Sequence, residues 1–171
     1  MKLSQALSRI APSRTAAMAD RAFALREAGR DVVSLSIGEP DFATPPHVIA
    51  AAKAALDAGE TRYTAIAGTQ RLREAAALHF KRDLGIDVPP AQVIVSAGGK
   101  QAIFHALMAT LDPLDEVLIP SPWWVSYPEI VRFAGAAVVA LPTTAAGGYR
   151  ITAPQLEAAI TPATRRLISS G

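Results

Sequence analysis

The chain has 171 residues, 50% of them hydrophobic and 19% charged, with a formal net charge of +2. That length and apolar share suit about one domain with a real core and exclude a disordered tail. The 17 basic and 15 acidic residues are dispersed, which argues against a nucleic-acid surface, and the absence of cysteine excludes disulfides, thiolate nucleophiles and zinc–thiolate sites.

Met1-Lys2 is followed by Ser4, Gln5, Ser8 and Arg9, which interrupt any apolar signal core. No run of 18 apolar residues occurs, so no spanning helix is expected and the default compartment is the cytoplasm. Thr15 to Ala28 carries Met18, Ala22, Phe23 and Leu25 at helical spacing, with Gly29 placed as a left-handed stop. Val32 to Ile37 is β-branched and reads as a strand or extended segment ending at Gly38. Thr44 is placed as an N-cap with Pro45 in the first turn of a helix that runs to about Ala58. Thr69 opens a helix through Leu84, closed by Gly85.

From there strand and helix alternate. Strands are expected at Gln92–Ser96, Glu116–Ile119, Ala137–Leu141 and Leu167–Ser169. Helices are expected at Lys100–Leu111 and Trp124–Ala134, and a capping box at Thr152–Gln155 opens a third. The alternation predicts an α/β fold with parallel neighbours. The last residues, Arg165 to Gly171, read as a core strand reaching its tip, so the sequence is expected to be part of a longer chain.

Three segments can carry chemistry. In Val95-Ser96-Ala97-Gly98-Gly99-Lys100-Gln101 a strand ends, two glycines allow a tight bend and a helix begins. A helix start with its unpaired N–H groups suits a phosphate. The spacing matches neither the dinucleotide fingerprint nor the Walker A loop, so a plain glycine-rich turn is the competing reading. Ser121 to Pro128 holds Trp123, Trp124 and Tyr127, an aromatic face for stacking on a ring or simply for packing. Ser36 to Phe42 carries Glu39 and Asp41, which read as turn-capping more readily than as an acid–base pair. His47, His79 and His105 lie far apart without metal-ligand spacing, so no metal is expected.

Taken together these segments resemble the fold-type I, pyridoxal-phosphate-dependent aminotransferases of class I/II, nearest to the bacterial aspartate aminotransferase branch. The resemblance covers nearly the whole chain. It is carried by Pro12-Ser13 and Thr15, Gly38 to Phe42 with Thr44-Pro45, Thr61-Arg62-Tyr63 with Gly68, Gly98 to Gln101, Asp112-Pro113 with Asp115-Glu116-Val117, Ser121-Pro122, Trp124 to Pro128, and Ile160-Thr161-Pro162. It implies the N-terminal part of the fold-type I architecture, a mainly parallel sheet flanked by helices and left incomplete. Residues 1–44 would form an arm and small-domain segment, and 45–171 the first half of the large cofactor-binding domain.

The same resemblance implies residue roles. Backbone at Gly98, Gly99, Lys100 and Gln101 holds the phosphate of pyridoxal 5'-phosphate, and Trp124 stacks on its pyridine ring. Gly38 meets the substrate α-carboxylate, and Tyr63 reaches the partner's cofactor phosphate in a homodimer. Lys100 and Thr15 recognise an acidic side chain, which points to aspartate, glutamate or a carboxylated keto acid such as prephenate, with a 2-oxo acid as acceptor. Arg14 and Trp123 depart from the alanine and tyrosine expected there.

The family's Schiff-base lysine has no counterpart here, so no catalytic residue is assigned in this chain. Only Lys2, Lys53, Lys81 and Lys100 exist, and Lys100 belongs at the phosphate end of the cofactor, away from its aldehyde. The isolated chain is therefore expected to be inactive. The competing expectations are a non-catalytic cofactor-binding or dimerisation fragment, and a fold-type I lyase or synthase.

Overall fold

The structure is a computed structural model and describes residues 2–36, 38 and 40–169. The chain divides into two compact units, one formed by residues 1–38 and 104–171, the other by 39–103.

The first unit is built on a three-stranded parallel sheet in the order β2-β1-β3: β1 is Glu116–Ser121, β2 Ala137–Pro142 and β3 Thr164–Leu167. β1 is central because its middle is purely apolar. Val117, Leu118 and Ile119 are all buried, as expected of a parallel strand covered on both faces. Glu116 pairs with Ala137 on one side and Thr164 on the other, and the register slips by one residue between Glu116 and Val117 on the β3 side. That slip sits beside a cluster in which the Thr161 hydroxyl donates to the Glu116 carboxylate at 2.5 Å.

Helices pack onto this sheet. α6, Ser126–Ala134, buries Pro128, Ile130 and Val131, and Gly135 ends it in the left-handed region at φ 91°. α7, Ala153–Ala159, starts at the Thr152–Gln155 capping box, with both reciprocal bonds present. The N-terminal helices are α1, Gln5–Ser8, and α2, Arg14–Glu27. The Ser13 hydroxyl caps α2 by accepting the Ala16 N–H at 3.2 Å.

The second unit holds α3, Pro46–Asp57, and α4, Gln70–His79, which runs on as a π-helical turn, Phe80–Leu84. Gly59 and Gly85 close the two helical stretches with positive φ, as the sequence predicts. The chain passes from this unit back to the first within α5, Gly99–Met108.

Three expectations shift. Thr44 is not the cap of α3: Pro45 is the N-cap and the helix begins at Pro46. Pro45 has the extended ψ of 137° that a residue preceding a proline adopts, so the boundary moves one residue on. β3 ends at Leu167 rather than starting there. Gln92 to Ser96 forms no ladder among the described residues, and of the two readings of Val32 to Ser36 the structure gives the unladdered segment. Extended conformation is a local preference, whereas a strand also needs a neighbour to take its N–H and C=O groups. Ile37, at the end of the second segment, lies outside the described residues.

Candidate functional site

The glycine bend is the most sharply built of the candidate features. Gly98 lies at φ 87°, a conformation that costs a side-chain-bearing residue steric strain. Its carbonyl accepts the Gln101 and Ala102 N–H groups at 3.2 and 3.4 Å, making it the N-cap of α5. A glycine cap has no side-chain oxygen to fold over the first turn, so the Gly99 N–H has no acceptor within the helix. A Cβ placed on Gly98 or Gly99 would meet no atom within 4 Å, so the bend opens on free space. The Gln101 side chain turns back, and its Oε1 accepts the Ala97 N–H at 2.5 Å. Lys100 is exposed.

Among the described residues the approach to this bend is held by single hydrogen bonds rather than by a ladder. Val95 donates its N–H to the Ala67 carbonyl at 3.0 Å, and Arg73 on α4 donates from Nε to the Val93 carbonyl at 3.0 Å. Val93 itself is buried. Gly68, at φ 100°, lies so close that a Cβ there would sit 2.8 Å from Val95 Cγ2. Thus the loop that carries Tyr63 is tied through Ala67 and Gly68 to the segment leading into the bend. The Tyr63 side chain itself is fully exposed.

The aromatic and arm residues belong to the other unit. β1 ends at Ser121, the Ser121–Pro122 bond is cis, and the Thr143 hydroxyl donates to the Ser121 carbonyl. Trp124 follows, half-exposed, and its carbonyl accepts the Tyr127 N–H at 3.0 Å as α6 begins. Trp123 is more buried than Trp124.

The N-terminal arm is fastened to the same helix. Glu129 accepts the Ala11 N–H at 2.9 Å and the Arg132 guanidinium at 2.6 Å, while Arg9 Nη1 donates to the Phe133 carbonyl at 3.3 Å. Thr15, half-buried, lies in the first turn of α2 just beyond this arm. Gly38 is exposed, with open space where a Cβ would be. Glu39 lies outside the described residues, and Asp41 is exposed. His79 pairs with Asp83 at 2.7 Å on the surface, and among the described residues no three acidic or histidine side chains converge as a metal site would require.

A model of the class I and II aminotransferases matches residues 30–168. The chain belongs to that family. It is 50% identical over 166 residues to the aspartate/prephenate aminotransferase of Cereibacter sphaeroides, covering 97% of this chain and 42% of that protein. It is 48% identical over 166 residues to the aspartate/prephenate aminotransferase of Thermus thermophilus, covering 97% and 43% respectively. The structure of an aspartate aminotransferase from Thermus thermophilus with maleate superposes with a TM-score of 0.94 at 47% identity, over 98% of this chain and 44% of that one. An aspartate aminotransferase from Rhizobium meliloti gives 0.93 at 42% identity, over 98% and 42%. The chain thus spans less than half the length of these aminotransferases, and its fold is that of their fold-type I class.

The cofactor that this family implies is pyridoxal 5'-phosphate. The bend fits the phosphate end of that group. It presents helix-start N–H donors, open space at both glycines and a neighbouring ammonium side chain, the donor chemistry that an anion requires. Sequence reasoning placed these residues but assigned no role to three that support them. Gly68 and Arg73 hold the approach to the bend, and Glu129 fastens the arm. Only Gly68 left a trace, as one of the residues, with Thr61-Arg62-Tyr63, that carry the family resemblance.

Proposed function

We propose that this chain supplies the phosphate seat, the ring-stacking face and part of the substrate site of an aminotransferase. That enzyme moves an amino group between an amino acid of the aspartate or glutamate type and a 2-oxo acid. The observation that carries the reading is the open Gly98–Gly99 bend at the start of a 10-residue helix, in a chain matched to the family over residues 30–168. When bound, the coenzyme supplies an electron sink, and the protein supplies orientation and proton transfer.

This chain's residues then divide the work of orientation. Backbone N–H groups at Gly99 and Lys100, beside Gly98 and Gln101, hold the phosphate. Trp124 covers one face of the ring, and Gly38 offers its backbone to the α-carboxylate. The Lys100 ammonium and the Thr15 hydroxyl take the distal carboxylate. A dicarboxylate preference is supported by the maleate named with the Thermus structure and by the aspartate/prephenate activities named for the relatives. Arg14, in the first turn of α2 beside Thr15, adds a second cation to that region of the sequence. Tyr63, fully exposed, extends towards a second subunit in a homodimer. Residues 1–44 act as arm and small-domain segment and 45–171 as part of the large domain, in the cytoplasm.

No lysine here is placed to carry the coenzyme covalently. Lys53 lies on α3, and Lys81 pairs with Asp87 at 3.0 Å on the surface. Lys100 sits at the phosphate end. A general acid–base lysine must reach the reacting carbon, and the family resemblance gives that role to none of Lys2, Lys53, Lys81 and Lys100. The purified chain mixed with pyridoxal 5'-phosphate, aspartate and 2-oxoglutarate is therefore expected to form no oxaloacetate, while the coenzyme quenches Trp124 fluorescence. Sustained turnover by the chain alone, or no binding of the coenzyme at all, would overturn the reading.

A further inference from the structure

We propose that Gln101 is the positioning residue of the glycine bend, acting through the Ala97 N–H rather than on the ligand. This rests on the reading of the bend as a phosphate seat. Gln101 is the third residue of α5, where a glutamine or glutamate commonly folds back to the N-cap N–H. Here the side chain reaches one residue further, to Ala97, while the Gly98 N–H is taken by the Ser96 carbonyl at 2.9 Å. The two bonds together fix both peptide units that enter the bend. Without them Gly98 and Gly99, the two most conformationally free residues of the segment, would sample many bends, only some of which aim helix-start N–H groups outward.

The choice of amide is also informative. A glutamate at this position would make the stronger bond to Ala97 and would suit the positive end of the helix. It would also add a negative charge beside an anion seat. Glutamine gives the same acceptor without the charge, and its oxygen is engaged with Ala97 rather than presenting a lone pair to an incoming phosphate.

The test uses the purified 171-residue chain. NMR reads the Ala97 amide's exchange rate and chemical shift without ligand, and titrations with inorganic phosphate and with pyridoxal 5'-phosphate read affinity. Gln101→Met keeps the length and removes the acceptor. It is expected to expose the Ala97 amide to exchange and to weaken both ligands about fivefold, the factor that goes with one net hydrogen bond. Gln101→Glu is expected to restore Ala97 protection while phosphate still binds more weakly than to the parent chain. That split distinguishes positioning from general destabilisation. Unchanged Ala97 exchange in Gln101→Met, or parental affinity in that variant, overturns the proposal. If Gln101→Met fails to fold, Gln101→Asn, whose shorter side chain falls short of Ala97, gives the same comparison. If the parent chain binds neither ligand although Ala97 protection depends on Gln101, the phosphate reading itself falls, and the positioning role with it.

Discussion

Gly68 shows how much a single residue without a side chain decides in the second unit. Its φ of 100° is a region that alanine enters only with strain, and a Cβ would press on Val95 at under 3 Å. Both effects act on the segment that leads into the glycine bend. Gly68→Ala is expected to cost about 2–4 kcal/mol, from backbone strain plus overpacking, read as a lower urea midpoint at unchanged slope. It is also expected to weaken phosphate binding, because Val95 must shift.

Asp83 shows a weaker effect with a definite sign. The Arg82 guanidinium beside it, and His79 secondarily, hold its carboxyl below the usual carboxylate range. A depressed native value means that the stabilisation is present above the unfolded-state value and is lost as pH falls through the native one. Asp83→Asn is therefore expected to lower stability slightly at pH 7 and to converge on the parent chain as pH falls well below about 4, as urea titrations across that range would record.

Among the elements, β1 carries the first unit. It pairs on both sides and buries three consecutive apolar residues, and the end of this strand leads directly to the Trp124 loop. Leu118→Ala is expected to cost about 2–5 kcal/mol, because Leu118 is buried in the central strand and the packed neighbours on its face cannot fully close the void. The loss should appear in denaturant unfolding and as altered Trp fluorescence. α6 links two parts of the proposed site at its start: Trp124 precedes it, and Glu129 in its first turn holds the arm that leads to Thr15. Glu129→Ala removes the acceptor of the Ala11 N–H, so the expected outcome is faster proteolytic trimming of residues 1–12 with β1 intact, visible by mass spectrometry.

For the molecule as a whole, the informative feature is apolar surface left in water. Val33, Leu35, Phe42, Tyr63 and Ile66 are all nearly or fully exposed, and α3 buries no residue. Monomeric soluble proteins rarely leave so much large apolar surface uncovered. The isolated chain is expected to bind a hydrophobic dye and to self-associate with rising concentration, measured by dye fluorescence and sedimentation. A dye-silent monomer at high concentration would contradict that expectation.

What could be read from residues alone follows the local signals. The helix stops at Gly59 and Gly85, the caps at Thr69 and Thr152, and the β1–α6–β2 alternation each depend on neighbours within a few positions, so sequence determines them. The family was legible for the same reason, since its motifs are short and keep their order and spacing. Tertiary structure alone decided that Val32–Ser36 and Val93–Ser96 pair with no strand among the described residues and that Gly68 is wedged against Val95. It also set the return of Gln101 to Ala97 and the fastening of the arm to Glu129. A strand's partner, a close approach and a side chain's reach depend on where distant or folded-back backbone arrives in space, and no periodicity in the chain encodes that position.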